Sequence, residues 1–293
     1  MVLVTLLWSI AGVVTRHLDS ARSFEVTFWR SGFNALALAV ALSFARGASL
    51  WGELRRAAWP VWVSSLCWAV MFTAFMVAIT LTTVANVLIT MSVAPLITAL
   101  LARLLLGHRL PPRTWCAVAA AGGGIAWMFG HEVATAQHGA IVGTLVALGV
   151  PLAAAINWTV LQHTRRAGAS GPPSGDGMLL AVLIGALISA LTTLPAALPL
   201  QASAHDLGLL ALLGIVQLAL PCLLAVRVSR VLPAPEVALL ALLEVVFGVC
   251  WAWLGANEEP SASALSGGLL VLAALVLNEL LGMRRGALTA TTR

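Results

Sequence analysis

The sequence predicts an all-α polytopic membrane protein: ten transmembrane helices in two five-helix inverted repeats, with both termini cytoplasmic. Three observations carry this. The 293 residues are 60% hydrophobic and 9% charged, with a mean hydropathy of +0.99, against about 25% charged residues in soluble domains. The apolar runs are apolar on all sides, which disfavours the alternating strands of a membrane barrel. The arginines collect on one set of connections, as the positive-inside rule requires of a membrane protein.

A spanning helix needs roughly 20 apolar residues. The runs fall at residues 1–15, 24–44, 60–80, 85–106 and 115–129 in the first half. In the second half they fall at residues 139–161, 178–200, 207–228, 237–254 and 264–281. The first is short for a span, and the sixth begins well before the position equivalent to Met1, so the native N-terminus is expected to have been trimmed or misassigned. Pro221 interrupts the eighth run, and GASGPPSGDG between the sixth and seventh reads as a solvated linker.

Connections after even-numbered spans hold Arg46, Arg55, Arg56, Arg109, Arg113, Arg165, Arg166, Arg227 and Arg230, and the tail holds Arg284, Arg285 and Arg293. Arg103 ends the fourth span on the same side. Connections after odd-numbered spans hold only Arg16 and Arg22, beside Glu132, Asp206, Glu258 and Glu259. Both termini are therefore cytoplasmic and the number of spans is even. The net charge of +5 and pI near 10.2 follow from this placement, and no nucleic-acid partner is expected, because no solvated domain exists to carry a basic face.

Residues 85–109, ANVLITMSVAPLITALLARLLLGHR, fit over residues 235–259, PEVALLALLEVVFGVCWAWLGANEE, at an offset of 150. Ala94 then falls on Glu244, Pro95 on Val245, His108 on Glu258 and Trp8 on Trp158. Repeats of five spans must enter the membrane from opposite sides. The expected units are residues 1–137 and 138–293, and inverted repeats mark secondary transporters whose sites lie at the repeat interface near mid-membrane.

Polar residues inside such spans are the candidates for a substrate path. Glu244 stands in the ninth span, where a charge costs several kcal/mol; it lines the path, binding an amine or carrying a proton, or else it is a neutral packing group. Arg30 snorkels outward, pairs with Glu25 or Asp19, or meets a substrate carboxylate. Asn86 and Thr90 share a helical face. Pro95 deprives the Met91 carbonyl of its donor, so that face is either a cavity wall or helix-packing glue. Asn157, Trp158 and Gln162 form a polar stripe, with Trp8 the repeat counterpart; the two Trp rings are cavity walls or interfacial anchors. Gln217, one turn before Pro221, is a similar case, and Phe75, with Met71, Phe72 and Met76, is core or an adaptable apolar wall. The fifth and tenth spans, with Gly122, Gly123, Gly124, Gly267 and Gly268, read as scaffold or as the face of a homodimer. Cys67, Cys116, Cys222 and Cys250 read as core filling.

The chain carries no HExxH, GxSxG, CxxC or Walker loop. No catalytic residue, metal or cofactor is expected, and transport would be secondary or facilitative.

The mid-helix proline, the LLLG-x-R exit, the following small-residue span, LLWSIAGVVTR in the first span and FWR at residues 28–30 together resemble the EamA branch of the drug/metabolite transporter superfamily over nearly the whole chain. Two positions depart from that pattern: His108 replaces an acidic residue, and Val245 replaces a proline after Glu244. The resemblance implies a non-enzymatic inner-membrane exporter of small metabolites, within which amino-acid exporters, aromatic ones included, are the nearest subgroup. Its partners are a small-molecule substrate and membrane lipid. The rival readings are a lipid-carrier flippase or membrane assembly factor, and an intramembrane enzyme, which lacks a mid-span His.

Overall fold

The computed structural model describes residues 1–21, 23–47, 49–106, 111–134, 138–166, 175–228 and 240–291, and among these the chain forms helices and no strand. In hydrocarbon a backbone must satisfy its own hydrogen bonds, which a helix does within one segment. Among the described residues, seven helices are long and apolar enough to cross a membrane: Ser23–Arg46, Trp59–Leu81, Val84–Leu105, Ile141–Val160, Gly177–Ala197, Ala204–Ala225 and Ala262–Met283. Val2–Thr15 and Leu243–Ala256 are shorter apolar helices.

In chain order, α1 (Val2–Ser9) and α2 (Ala11–Thr15) precede α3 (Ser23–Arg46), the short α4 (Ser49–Arg55) and α5 (Trp59–Leu81). Next come α6 (Val84–Met91), α7 (Ala94–Leu106) and α8 (Pro112–Ala134). The second half holds α9 (His138–Ala147), α10 (Gly149–Arg166), α11 (Gly175–Ala197) and α12 (Ala204–Leu212), a π-helical segment Leu213–Ala219, then α13 (Leu220–Val228), α14 (Leu243–Ala256) and α15 (Ala262–Thr291). The linker at residues 167–174 lies outside the described residues.

Local chemistry sets several of these boundaries. Pro60 sits in the first turn of α5, where its missing N–H has no helical partner to lose. The Thr83 side chain caps α6, accepting from the Asn86 N–H at 3.3 Å. Ser203 and Asp206 form a capping box on α12.

Helices at equivalent places in the two halves pair antiparallel. Glu25, near the start of α3, reaches Gln201 and Ala202 beyond the end of α11. Ser31 meets Ser189 midway at 3.0 Å, and Leu38 and Leu42 share an apolar cluster with Leu179 and Leu183 near the start of α11. Between α8 and α15, Thr114 donates to Asn278 at 3.0 Å, and Trp127 donates to Ser266 at 3.2 Å. Between α6 and α14, Leu88 packs on Gly248, while Val84 bonds Glu258. Other contacts recur with the halves exchanged: α5 packs on α11 as α3 packs on the π segment, and α10 packs on α7 as α1 packs on α14.

The structure refines four expectations. Pro221 does not break its helix. The missing N–H at Pro221 is absorbed one turn earlier, where the π-helical segment uses wider bonds, among them Leu220 N–H to the Ile215 carbonyl. Helix interruptions occur in both halves: Ser92–Val93 separates α6 from α7 before Pro95, and Leu242 is a turn before Glu244. A proline marks only the first of these, so the bend is not confined to one repeat. Cys116 and Cys250 are exposed, and only Cys67 and Cys222 fill the core. Of the glycines in α8, Gly122 and Gly123 have open space where a Cβ would stand, whereas Gly124 and Gly267 of α15 face each other within one chain.

At Gly267 a Cβ would stand 2.7 Å from the Gly124 carbonyl oxygen and 2.7 Å from Met128 Cγ. Gly267→Leu is expected to destabilise the protein by about 1–3 kcal/mol, the usual penalty of overpacking. Gly122→Leu, pointing into open space, should leave it unchanged. Thermal unfolding in detergent separates the two.

Candidate functional site

Among the described residues, one arginine is buried between the helices. Arg30, in α3, is 2% exposed. Its Nε and Nη2 donate to Gln217 Oε1 at 3.2 and 2.9 Å. Gln217 lies in the π-helical segment and is held by its own Nε2, which donates to the Trp8 carbonyl at 3.0 Å. The guanidinium lies over the Phe75 ring, 5.6 Å from its centroid, a favourable contact once water is excluded. Arg30 Nη1 is buried with no hydrogen-bond partner among the described residues. Asn34, one turn further along α3, is fully buried, and neither its Oδ1 nor its Nδ2 has a partner there either.

The expected pairing of Arg30 with Glu25 or Asp19 does not occur. Glu25 lies five positions before Arg30, which puts them on different faces of a helix with 3.6 residues per turn. Glu25 instead accepts from the Gln201 and Ala202 N–H groups at 2.8 Å each. Asp19 faces His205 at 3.2 Å. Glu244, in the first turn of α14, is partly buried and forms no ion pair with Arg30. A carboxylate there is favourably placed against the positive end of the helix dipole.

The remaining candidates scatter around this centre. Trp8 is half-buried against the apolar cluster that holds Phe72 and Leu218. Its repeat counterpart Trp158 is 45% exposed and does not wall a central cavity. The cause is packing: α1 is enclosed by the π segment, α13 and α14, whereas α10 is flanked by α5 and α7. Asn157 is buried, with its Oδ1 unpartnered among the described residues, as is the Thr90 hydroxyl. Asn86 donates to the Thr82 hydroxyl at 3.3 Å and so closes the α5–α6 turn. Met91, partly buried, packs on the main core beside the break before Pro95. The Gln162 side chain lies outside the described residues.

Charged residues used in the sequence only to orient the chain prove to be structural ties at one end of the molecule. Arg16 Nε donates to Glu258 Oε2 at 2.6 Å, and its Nη1 and Nη2 donate to the carbonyls of Ile79 and Thr82 at 2.9 and 2.8 Å. Glu258 Oε1 in turn accepts from the Val84 N–H at 2.5 Å. One ion pair thus joins the ends of α2, α5 and α14 to the start of α6. Nearby, Asp206 accepts from the backbone N–H groups of Asp19, Ser20 and Ala21 at 2.8–3.1 Å. Asp19, His205 and Asp206 come together closely enough to hold a cation, but the oxygens of Asp206 already accept these backbone bonds.

A bundle of apolar helices, built from antiparallel equivalents around a buried, incompletely paired arginine, defines an integral membrane protein with a polar centre between two halves. The model of the EamA-like transporter family matches twice, over residues 1–130 and 141–280. The chain belongs to that family. A solved structure titled only as the crystal structure of a protein is similar in fold, with a TM-score of 0.63 at 20% identity, covering 96% of this chain and 96% of that one. No curated protein matches.

Proposed function

We propose that the protein is a secondary exporter of small metabolites, amino acids foremost, in a bacterial-type inner membrane. Ten spans form two inverted repeats, residues 1–137 and 138–293, with both termini cytoplasmic. Rocking of the repeats gives alternating access to a site around Arg30, Gln217, Trp8, Phe75 and Glu244. The observation that carries this reading is the buried Arg30, held across the two halves by Gln217 with one nitrogen left over. An ionisable residue within the membrane marks a functional site. Interrupted helices at Ser92–Val93 and Leu242 and the π segment at Leu213–Ala219 are features that sites at a repeat interface employ.

Counterflow of labelled amino acids into liposomes containing the purified chain tests the reading. Accumulation above protein-free vesicles is expected, and none across a broad panel would sink it. Stabilisation by polyisoprenoid lipid carriers alone would favour a flippase instead. Glu244→Gln is expected to flatten the pH dependence of flux, since an amide neither binds nor releases a proton. A profile identical to that of the wild type removes Glu244 from proton coupling.

A further inference from the structure

The geometry points to a carboxylate subsite on Arg30: the end-on edge of the guanidinium, formed by Nη1 and the outer N–H of Nη2, receives the carboxylate of the transported solute. This deepens the transporter reading and rests on it.

A guanidinium presents five N–H donors in a fixed fork. Gln217 Oε1 occupies the side edge, taking one N–H from Nε and one from Nη2. Gln217 cannot swing away freely, because its own amide is tethered to the Trp8 carbonyl at 3.0 Å. Phe75 covers the guanidinium. What is left is the end-on edge, and Nη1 there has no acceptor among the described residues although it is sealed from solvent. A buried donor on a charged group without an acceptor is expensive, so the arrangement is complete only with an anion present. The edge matches a carboxylate, whose two oxygens accept from two parallel N–H groups.

Asn34 strengthens the assignment. It lies four residues beyond Arg30, on the same helical face, and is fully buried with both amide atoms unpartnered among the described residues. Its Nδ2 adds a donor for the carboxylate and its Oδ1 an acceptor for an ammonium. Charge balance selects a monoanion. Arg30 is the one cation buried at this centre among the described residues. A doubly charged phosphate would leave net negative charge in a dry site. A single carboxylate leaves none, and the ammonium of an amino acid then has the Asn34 Oδ1 to meet.

The test compares acids with their neutral amides, which differ only in the group assigned to Arg30. Phenylalanine and leucine are set against phenylalaninamide and leucinamide on the purified full chain, both by thermal stabilisation in detergent and by counterflow. The wild type is expected to prefer each acid at least about tenfold. Arg30→Gln should abolish that preference by weakening the response to each acid at least about tenfold more than the response to its amide. Arg30→Lys keeps the charge but not the planar fork, and should lose about tenfold for the acid. If Arg30→Gln fails to fold, Arg30→Lys decides: an unchanged acid-to-amide ratio overturns the subsite. Equal loss for acid and amide in either variant also overturns it, as does a wild type that treats both alike. Failure of the transport reading looks different. Acids would then stabilise the wild type in an Arg30-dependent way without any counterflow.

Discussion

Gly214→Ala is expected to remove most of the transport activity and to lower the unfolding midpoint by about 5 °C, the scale on which 1–3 kcal/mol of overpacking appears in a protein of this size. Gly214 lies in the π-helical segment where it crosses α3. A Cβ there would stand 2.5 Å from Phe33 Cβ, 2.7 Å from the Arg30 carbonyl oxygen and 2.9 Å from the Asn34 amide nitrogen. Two of those three atoms are backbone, so no change of rotamer relieves the clash, and α3 must withdraw from the π segment. Gln217 is three residues on, and its bonds to Arg30 at 2.9 and 3.2 Å have little room to lengthen before they cease to be hydrogen bonds. The glycine thus sets the distance at which one half hands an acceptor to the arginine of the other. Gly208→Ala, with nothing within 4 Å of the added methyl, is the control. Equal stability and equal flux in the two variants would refute this account.

Which parts of this arrangement could be read from the sequence depends on the range of the forces involved. The apolar runs and the break before Pro95 are local consequences of hydropathy and of a missing N–H, and they were legible. The break at Leu242 was not, because Val245 carries no local signal, and only its register with Ser92 hints at it. Arg30 stood out as a charge within a span. Its partner did not, because the residues near in sequence, Glu25 and Asp19, are engaged by backbone and by His205, while Gln217 is 187 residues away. The spacing of four between Arg30 and Asn34 is the one local sign that the two share a face. The repeat suggested like roles for Trp8 and Trp158, but symmetry in sequence does not impose symmetry in neighbours. In the sequence Arg16 and Glu258 are only two charges on one side of the membrane. Their joining is a tertiary fact that composition cannot express.

That ion pair carries the second large prediction. Arg16 and Glu258 are partly exposed, at 29% and 15% of their side chains. Their coupling should fall between that of surface pairs, at about 0–1 kcal/mol, and that of buried pairs, where removing one partner costs about 3–5 kcal/mol. A double-mutant cycle of Arg16→Gln and Glu258→Gln is expected to give about 1–2 kcal/mol. The glutamine at 258 retains an oxygen for the Val84 N–H, so the cycle isolates the charge. In the alternating access we propose, this end parts, and every 1.4 kcal/mol removed from the closed form raises the open population about tenfold. The measurable consequence is reactivity of a cysteine introduced by Thr83→Cys, at the edge of the shallow pocket lined by Arg16, Thr82, Gly139 and Glu258. With the four native cysteines replaced, labelling by a polar maleimide should quicken about tenfold in either single variant. Exchanging the charges, Arg16→Glu with Glu258→Arg, should not restore the slow rate. A carboxylate at position 16 would face the carbonyls of Ile79 and Thr82, which now accept from Arg16, and a guanidinium at position 258 would face the Val84 N–H. Full rescue by the exchange would mean that the two charges merely attract across a gap. Its failure would mean that each is fitted to the helix ends it holds, so that opening this end breaks the hydrogen bonds of four helices together.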